Sequence, residues 1–291
     1  MKFRIILSLL LIVNTLYSND IIKIIPPQSA YDSSHSYFSN LLTLMLSDET
    51  TNTKIAYSYQ MEQGRAFAQL KQNKDIDVYW AGTSLQREKE FNAIKIPLLK
   101  GLLGYRVLVI NKKNKELFEN IKNIDDLKKL KACQGRHWPD TEILENSDFK
   151  VIKNSNYESM FLQVLKGRCD YFPRGIHEGY SELESRKDKY EELMIFDKII
   201  IYYPFPMYFF VSKENVQLAQ KIEDGLLRII ENKSFENYIQ TNTITKHLFP
   251  LSKWNTKTIY EINNHLLSLD TDFHNQKFWI IPHKNDQNIE K

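Results

Sequence analysis

The chain has 291 residues, 42% of them hydrophobic, with sixteen tyrosines and sixteen phenylalanines, enough apolar material for one large or two ordinary globular units. Its 39 lysines and arginines against 36 acids give a formal charge of +3. That small excess argues against nucleic acid as a partner, because there is little spare positive charge to neutralise phosphates.

The chain opens with Lys2 and Arg4, continues through the apolar run "IILSLLLIV" (5–13), and reaches small Ser18 at the end of "NTLYS". This is the pattern of a cleaved secretory signal, residues 1–18. A membrane anchor is the rival reading, but a nine-residue helical run reaches only about 14 Å against a hydrocarbon core of about 30 Å. Without Lys2 and Arg4 the mature chain carries 37 bases against 36 acids. Export places it in the periplasm, where the pair Cys133 and Cys169 is expected as a disulfide, two buried thiols being the alternative.

Strands and amphipathic helices then alternate. "IIKII" (21–25) is a strand stopped by Pro26 and Pro27, and 36–46 is a helix with Phe38, Leu41, Leu42 and Met45 on one face. Strand 54–59, helix 64–72 and strand 75–82 follow, and a Thr or Ser caps a helix over 83–90. The same grammar restarts after Lys100 with strand 104–112, helix 123–130, strand 131–135 and helix 139–146. Strand 149–153, helix 156–167 and strand 168–172 come next; Pro173 has no N–H to donate and is expected to end that strand. Strand 206–213 leads into helix 215–232, whose Ala219, Ile222, Leu226, Ile229 and Ile230 form a core-facing stripe. Trp254, Trp279 and Ile280 are expected to pack the tail onto one unit, with a solvated end after Pro282. Such alternation predicts an α/β protein with mostly parallel sheets flanked by helices.

Ligands of open α/β sheets bind beyond the carboxyl ends of strands, where helix N-termini also point. In "WAGTSLQRE" (80–88), Trp80 ends a strand, Ser84 caps a helix and Arg87 lies in its first turn, against the helix dipole. A guanidinium there holds an anion or pairs with Glu88 or Glu90. In "CQGRHWPDTE" (133–142), His137, Trp138 and Asp140 surround a strand-to-helix turn; the alternative is a capped helix with the indole in the core. "CDYFPRGIHE" (169–178) gathers Arg174, His177 and Glu178 at a strand tip, where Arg174 either meets ligand or bonds a neighbouring loop. Tyr31, in 26–38, stacks on a ligand or packs under its own loop. No nucleophile elbow, phosphate loop or zinc spacing is present, so neither a cofactor nor a metal is expected.

Four stretches in this order resemble solute-binding protein family 3, the type 2 periplasmic solute-binding proteins that bind polar amino acids. They are "DIDVYWAGTSLQRE", "NIDDLKKLKACQG", "LKGRCDYFPRG" and "MYFFVSKENVQLAQKIEDGLLRIIENKSFENY". The resemblance runs from about residue 21 to about 238. It implies a clamshell with lobe 1 over 19–99 and 212–291, lobe 2 over 100–211, and crossings at 100–103 and 210–213. It also makes the strands of Cys133 and Cys169 neighbours. Arg87 matches the family arginine that grips an α-carboxylate, whereas the glycine–threonine turn expected near 135–141 and the ammonium-binding aspartate expected near Arg174 are absent. The implied protein is a monomeric, non-catalytic receptor for a small polar ligand bearing a carboxylate, held between Arg87 and Arg174 or with Glu178 meeting an ammonium. It serves an ABC permease, or alternatively a membrane sensor. A dehydratase-like enzyme on the same fold would use Glu178 or Asp140 as its acid.

Overall fold

The structure is a computed structural model that describes residues 21–47 and 53–281. The expected signal segment and the end after Pro282 lie outside the described residues. The first half holds β1 (Ile21–Ile24), α1 (His35–Leu46), β2 (Lys54–Tyr57), α2 (Gln63–Lys71), β3 (Tyr79–Gly82), α3 (Leu85–Glu90) and β4 (Phe91–Ile94). β1 pairs parallel with β2, and Asp77 ties β1 towards β3 by accepting the Lys23 N–H at 2.7 Å and donating its own to Lys23 O at 2.8 Å. The Ser84 hydroxyl accepts the Arg87 N–H at 3.3 Å, so α3 begins with the cap its sequence predicts.

The chain continues through β5 (Tyr105–Asn111), α4 (Lys115–Glu119), α5 (Ile124–Lys128), β6 (Lys131–Gly135), α6 (Pro139–Glu145) and β7 (Lys150–Asn154). Then come α7 (Tyr157–Leu165), β8 (Tyr171–Gly175), α8 (Gly179–Ser185), β9 (Leu193–Tyr202) and β10 (Met207–Ser212). α9 (Val216–Glu231), α10 (Ser234–Thr241) and β11 (Thr258–Glu261) complete the order. One sheet runs β3-β10-β4 and another runs β11-β9-β5-β8-β6-β7. The first is wholly antiparallel, β10 running against β3 and β4, and the second is mixed: β5 is antiparallel to β8 and β9, while β6–β7, β6–β8 and β11–β9 are parallel. A chain that leaves one unit and returns from the other supplies those reversed strands.

Three expectations change. β8 runs through Pro173 to Gly175, because Pro173 faces Leu108 in the antiparallel ladder and the pairing with β6 is confined to Tyr171, so no ladder bond requires its missing N–H. The return crossing lies at 203–206 rather than 210–213, since Met207–Ser212 already pairs with β3 and β4. The tail is not confined to the first unit: β11 extends the six-stranded sheet beside Ile199 to Tyr202.

From there the tail returns. Ile262 N–H donates to Tyr202 O at 2.9 Å, Leu85 N–H donates to Leu266 O at 3.1 Å, and Lys95 meets Asp270 at 2.6 Å. Trp279 lies over Gly101, whose left-handed φ of 81° and missing side chain leave room for the indole; a Cβ would sit 2.2 Å from the ring. Trp254 and Trp279 are both buried. On the opposite face α9 packs against α1 through Ile222, Leu226 and Ile229, and Gly225 lets the helices approach at the Met45 carbonyl. Cys133 and Cys169 are joined by a disulfide with Cα atoms 5.5 Å apart, linking the middle of β6 to the segment just before β8. Among the described residues no helix is long and apolar enough to cross a membrane.

Candidate functional site

A half-open cavity of about 100 Å³ lies between the two sheets. Its walls come from both sides: Gln28, Asp32, Ser34, His35, Phe38 and Trp80 from the first, and Arg106, Trp138, Asp140, Arg174, Glu178 and Glu182 from the second. The sequence analysis named five of these residues, Trp80, Trp138, Asp140, Arg174 and Glu178. Topology explains the convergence, because β3 and β8 end here and α6 and α8 begin here. The indole of Trp138 reaches the wall by folding over Gly135, where a Cβ would lie 2.4 Å from the ring.

The charged groups on the wall are bound chiefly to one another. Arg174 donates through Nε to Glu182 at 2.8 Å and through Nη2 at 2.6 Å, and the same Nη2 lies 3.0 Å from Glu178. Its guanidinium also lies over the rings of Phe172, Trp138 and Tyr157 at 4.8, 5.1 and 5.7 Å. Arg106 meets Asp140 at 2.5 Å and Glu178 at 3.8 Å, and Tyr203 donates its hydroxyl to Asp140 at 2.6 Å. Tyr157 donates to Glu182 at 2.5 Å. Burial opposes charge on Arg174, yet Glu178 and Glu182 hold its pKa well above the usual arginine value. Burial pushes the Asp32 carboxyl up, against the Gln28 and His35 N–H groups that it accepts. His177 behind the wall is fully buried, and burial followed by the charges of Arg106 and Arg174 keeps it well below the usual histidine pKa.

The remaining predicted site residues fall elsewhere. Arg87 lies outside the cavity and lines a broader depression of about 540 Å³ with Ser84 and His137. Its guanidinium donates to Gly82 O, to Gln63 and, across the cleft, to His137 O at 2.9 Å, and it stacks on Phe67 at 4.4 Å. Burial lowers its pKa to about 10, with Tyr79 and Asp140 resisting. Tyr31 lies under Arg186 and Lys189, away from the cavity, and its carbonyl accepts from Arg186 at 3.2 Å. One ligand held between Arg87 and Arg174 is therefore not what this geometry builds, because the first fastens the cleft from outside the cavity and the second is occupied by two acids. Arg106, Glu182 and Asp32 are site residues that the sequence motifs do not mark. Arg106 left one visible signal, a lone charge inside the apolar strand "GYRVLVINK".

Further bonds close the cleft. Ser29 donates to Glu158 at 2.7 Å, Ser33 donates to Ser181 at 2.8 Å, and Arg186, paired with Glu158 in the second unit, donates across to the Tyr31 carbonyl. Among the described residues no group of three or more His, Cys, Asp or Glu is placed to hold a metal ion.

No protein-family model and no curated protein sequence matches the chain. Solved structures do resemble it. An ancestral arginine-binding protein bound to arginine superposes with a TM-score of 0.57 at 16% identity, over 76% of this chain and 97% of that one. The substrate-binding protein of an amino-acid ABC transporter gives 0.54 at 14% identity, over 77% and 98%. A histidine kinase sensor domain with similarity to periplasmic binding proteins gives 0.54 at 12% identity, over 76% and 94%. At such identities the likeness is one of architecture, and the chain has the two-lobed α/β fold of the type 2 periplasmic amino-acid-binding proteins.

Proposed function

We propose that the protein is an exported, non-catalytic solute receptor that captures a small polar molecule in the cavity between its lobes. The observation that supports this reading best is the make-up of the cavity, with polar walls drawn from both lobes and bonds beside it that join them. Those bonds exist only when the lobes meet, so a solute that adds contacts to both shifts the protein towards the closed form. The recipient of the loaded receptor is an ABC permease in the periplasmic reading. A membrane sensor is the second reading, favoured by the likeness to a kinase sensor domain.

The test is small-angle scattering on protein refolded from denaturant, before and after exposure to cell extract, with mass spectrometry of what stays bound. The expected outcome is a smaller radius of gyration with solute. An unchanged radius with proven binding would remove the closing mechanism.

A further inference from the structure

We propose that the solute is a small organic ammonium carrying a neutral hydrogen-bonding group in place of a carboxylate. The inference rests on the receptor reading and names the chemistry of the same cavity. Four carboxyl groups line it, Asp32, Asp140, Glu178 and Glu182, against two guanidinium groups, Arg106 and Arg174. Each guanidinium has a closest acid, Asp140 for Arg106 and Glu182 for Arg174. Glu178 has no cation to itself: it shares Arg174 with Glu182 and, at 3.8 Å, Arg106 with Asp140, and it accepts the Gly175 N–H at 3.0 Å. An unbalanced negative charge on buried carboxylates is costly, and a cation beside them offsets that cost, whereas an anion adds to it. A carboxylate would have to displace an internal acid from Arg106 or Arg174, and Arg87 is not on the wall. The rings of Trp80, Phe38 and Tyr157 on the same wall suit a cation.

Two further groups point to the rest of the molecule. The Ser34 hydroxyl and the Arg106 Nε are buried without a hydrogen-bond partner, and both residues line the cavity. An N–H donor and a hydroxyl left open in this way fit a neutral oxygen acceptor such as an alcohol or amide. A volume of about 100 Å³ restricts the molecule to a few heavy atoms.

Three probes of nearly equal size separate the charges: ethanolamine, with an ammonium and a hydroxyl; glycine, with an ammonium and a carboxylate; and glycolate, with a carboxylate and a hydroxyl. Titration calorimetry on the refolded full chain should show ethanolamine binding at least about tenfold more tightly than glycine, with no glycolate binding. Glu178→Gln, checked for folding by circular dichroism, should weaken ethanolamine by at least about tenfold. If Glu178→Gln unfolds the protein, Asp32→Asn should still weaken ethanolamine. Glycine or glycolate binding as tightly as ethanolamine overturns the inference, as does failure of all three probes. Contraction with cell extract, but no ethanolamine binding, would leave the receptor reading standing and remove the ammonium. No contraction and no bound molecule from extract would remove both.

Discussion

Arg174 is enclosed by two acids and three aromatic rings, so its charge and its packing cannot be altered separately. Arg174→Ala leaves Glu182 and Glu178 buried without their partner, and breaking a buried pair from one side costs about 3–5 kcal/mol. Glu182→Ala should cost a similar amount, whereas Arg174→Met combined with Glu182→Leu should cost much less than the two losses added together. Urea unfolding of the three variants measures this, and strict additivity would show that the pair is not the unit described. His177 supplies a pH dependence. It faces Glu178 at 3.7 Å, with Arg106, Arg174, Glu182 and His247 contributing to its surroundings, and its folded pKa lies well below the usual 6.5. Between those two values the unfolded chain binds the proton and the folded chain does not, so stability falls as pH drops below about 6.5, by at most about 1.4 kcal/mol per pH unit. Asp32, whose carboxyl is raised from 3.8, acts in the opposite sense just above that value. Denaturant midpoints between pH 7.5 and 5.5 should therefore decline in the parent and flatten in His177→Gln; equal slopes would assign the effect to another group.

At the scale of elements, the disulfide makes the most measurable contribution. It joins β6 to β8 around α7 across 36 residues, and closing a loop of that length stabilises by about 3–4 kcal/mol in the chain-entropy account. Replacing both cysteines with serine should lower stability by about that amount, read by chemical denaturation of exported protein; an unchanged midpoint would mean that the bridge constrains nothing. Periodicity made helices such as α9 legible, because its buried face repeats at helical spacing and its Asn215 cap accepts the Leu218 N–H at 3.3 Å. Strands were harder. Pro173 argued for an end that the structure does not make, because a proline disrupts a strand only where a ladder bond needs its N–H. β11 was not singled out within the tail, since four residues that complete a distant sheet edge carry almost no local pattern.

For the whole molecule, the order of strands and helices was enough to anticipate two lobes, because βα units admit few topologies. The cavity was only half legible. Trp138, Asp140, Arg174 and Glu178 lie at or just after strand ends, where the topology sends ligands, but Arg106 matters through Asp140 on a different element, and Asp32 and Glu182 join the wall only once the two units meet. Arg174 had two roles open to it in the sequence, meeting a ligand or bonding a neighbouring loop, and it takes an internal partner, Glu182, eight residues on in the first turn of α8. The tail adds a mechanical consequence. Two hinge strands alone leave the units free to swing, but here a third segment runs beside the crossing at 203–206, fixed at Ile262 to Tyr202 and at Leu266 to Leu85, with Asn264 donating to the Pro204 carbonyl between them. Only four peptide steps separate those anchors, a taut length of roughly 14 Å at most. While both anchors hold, the segment acts as a third tether beside the crossings and restricts how the two units turn about them.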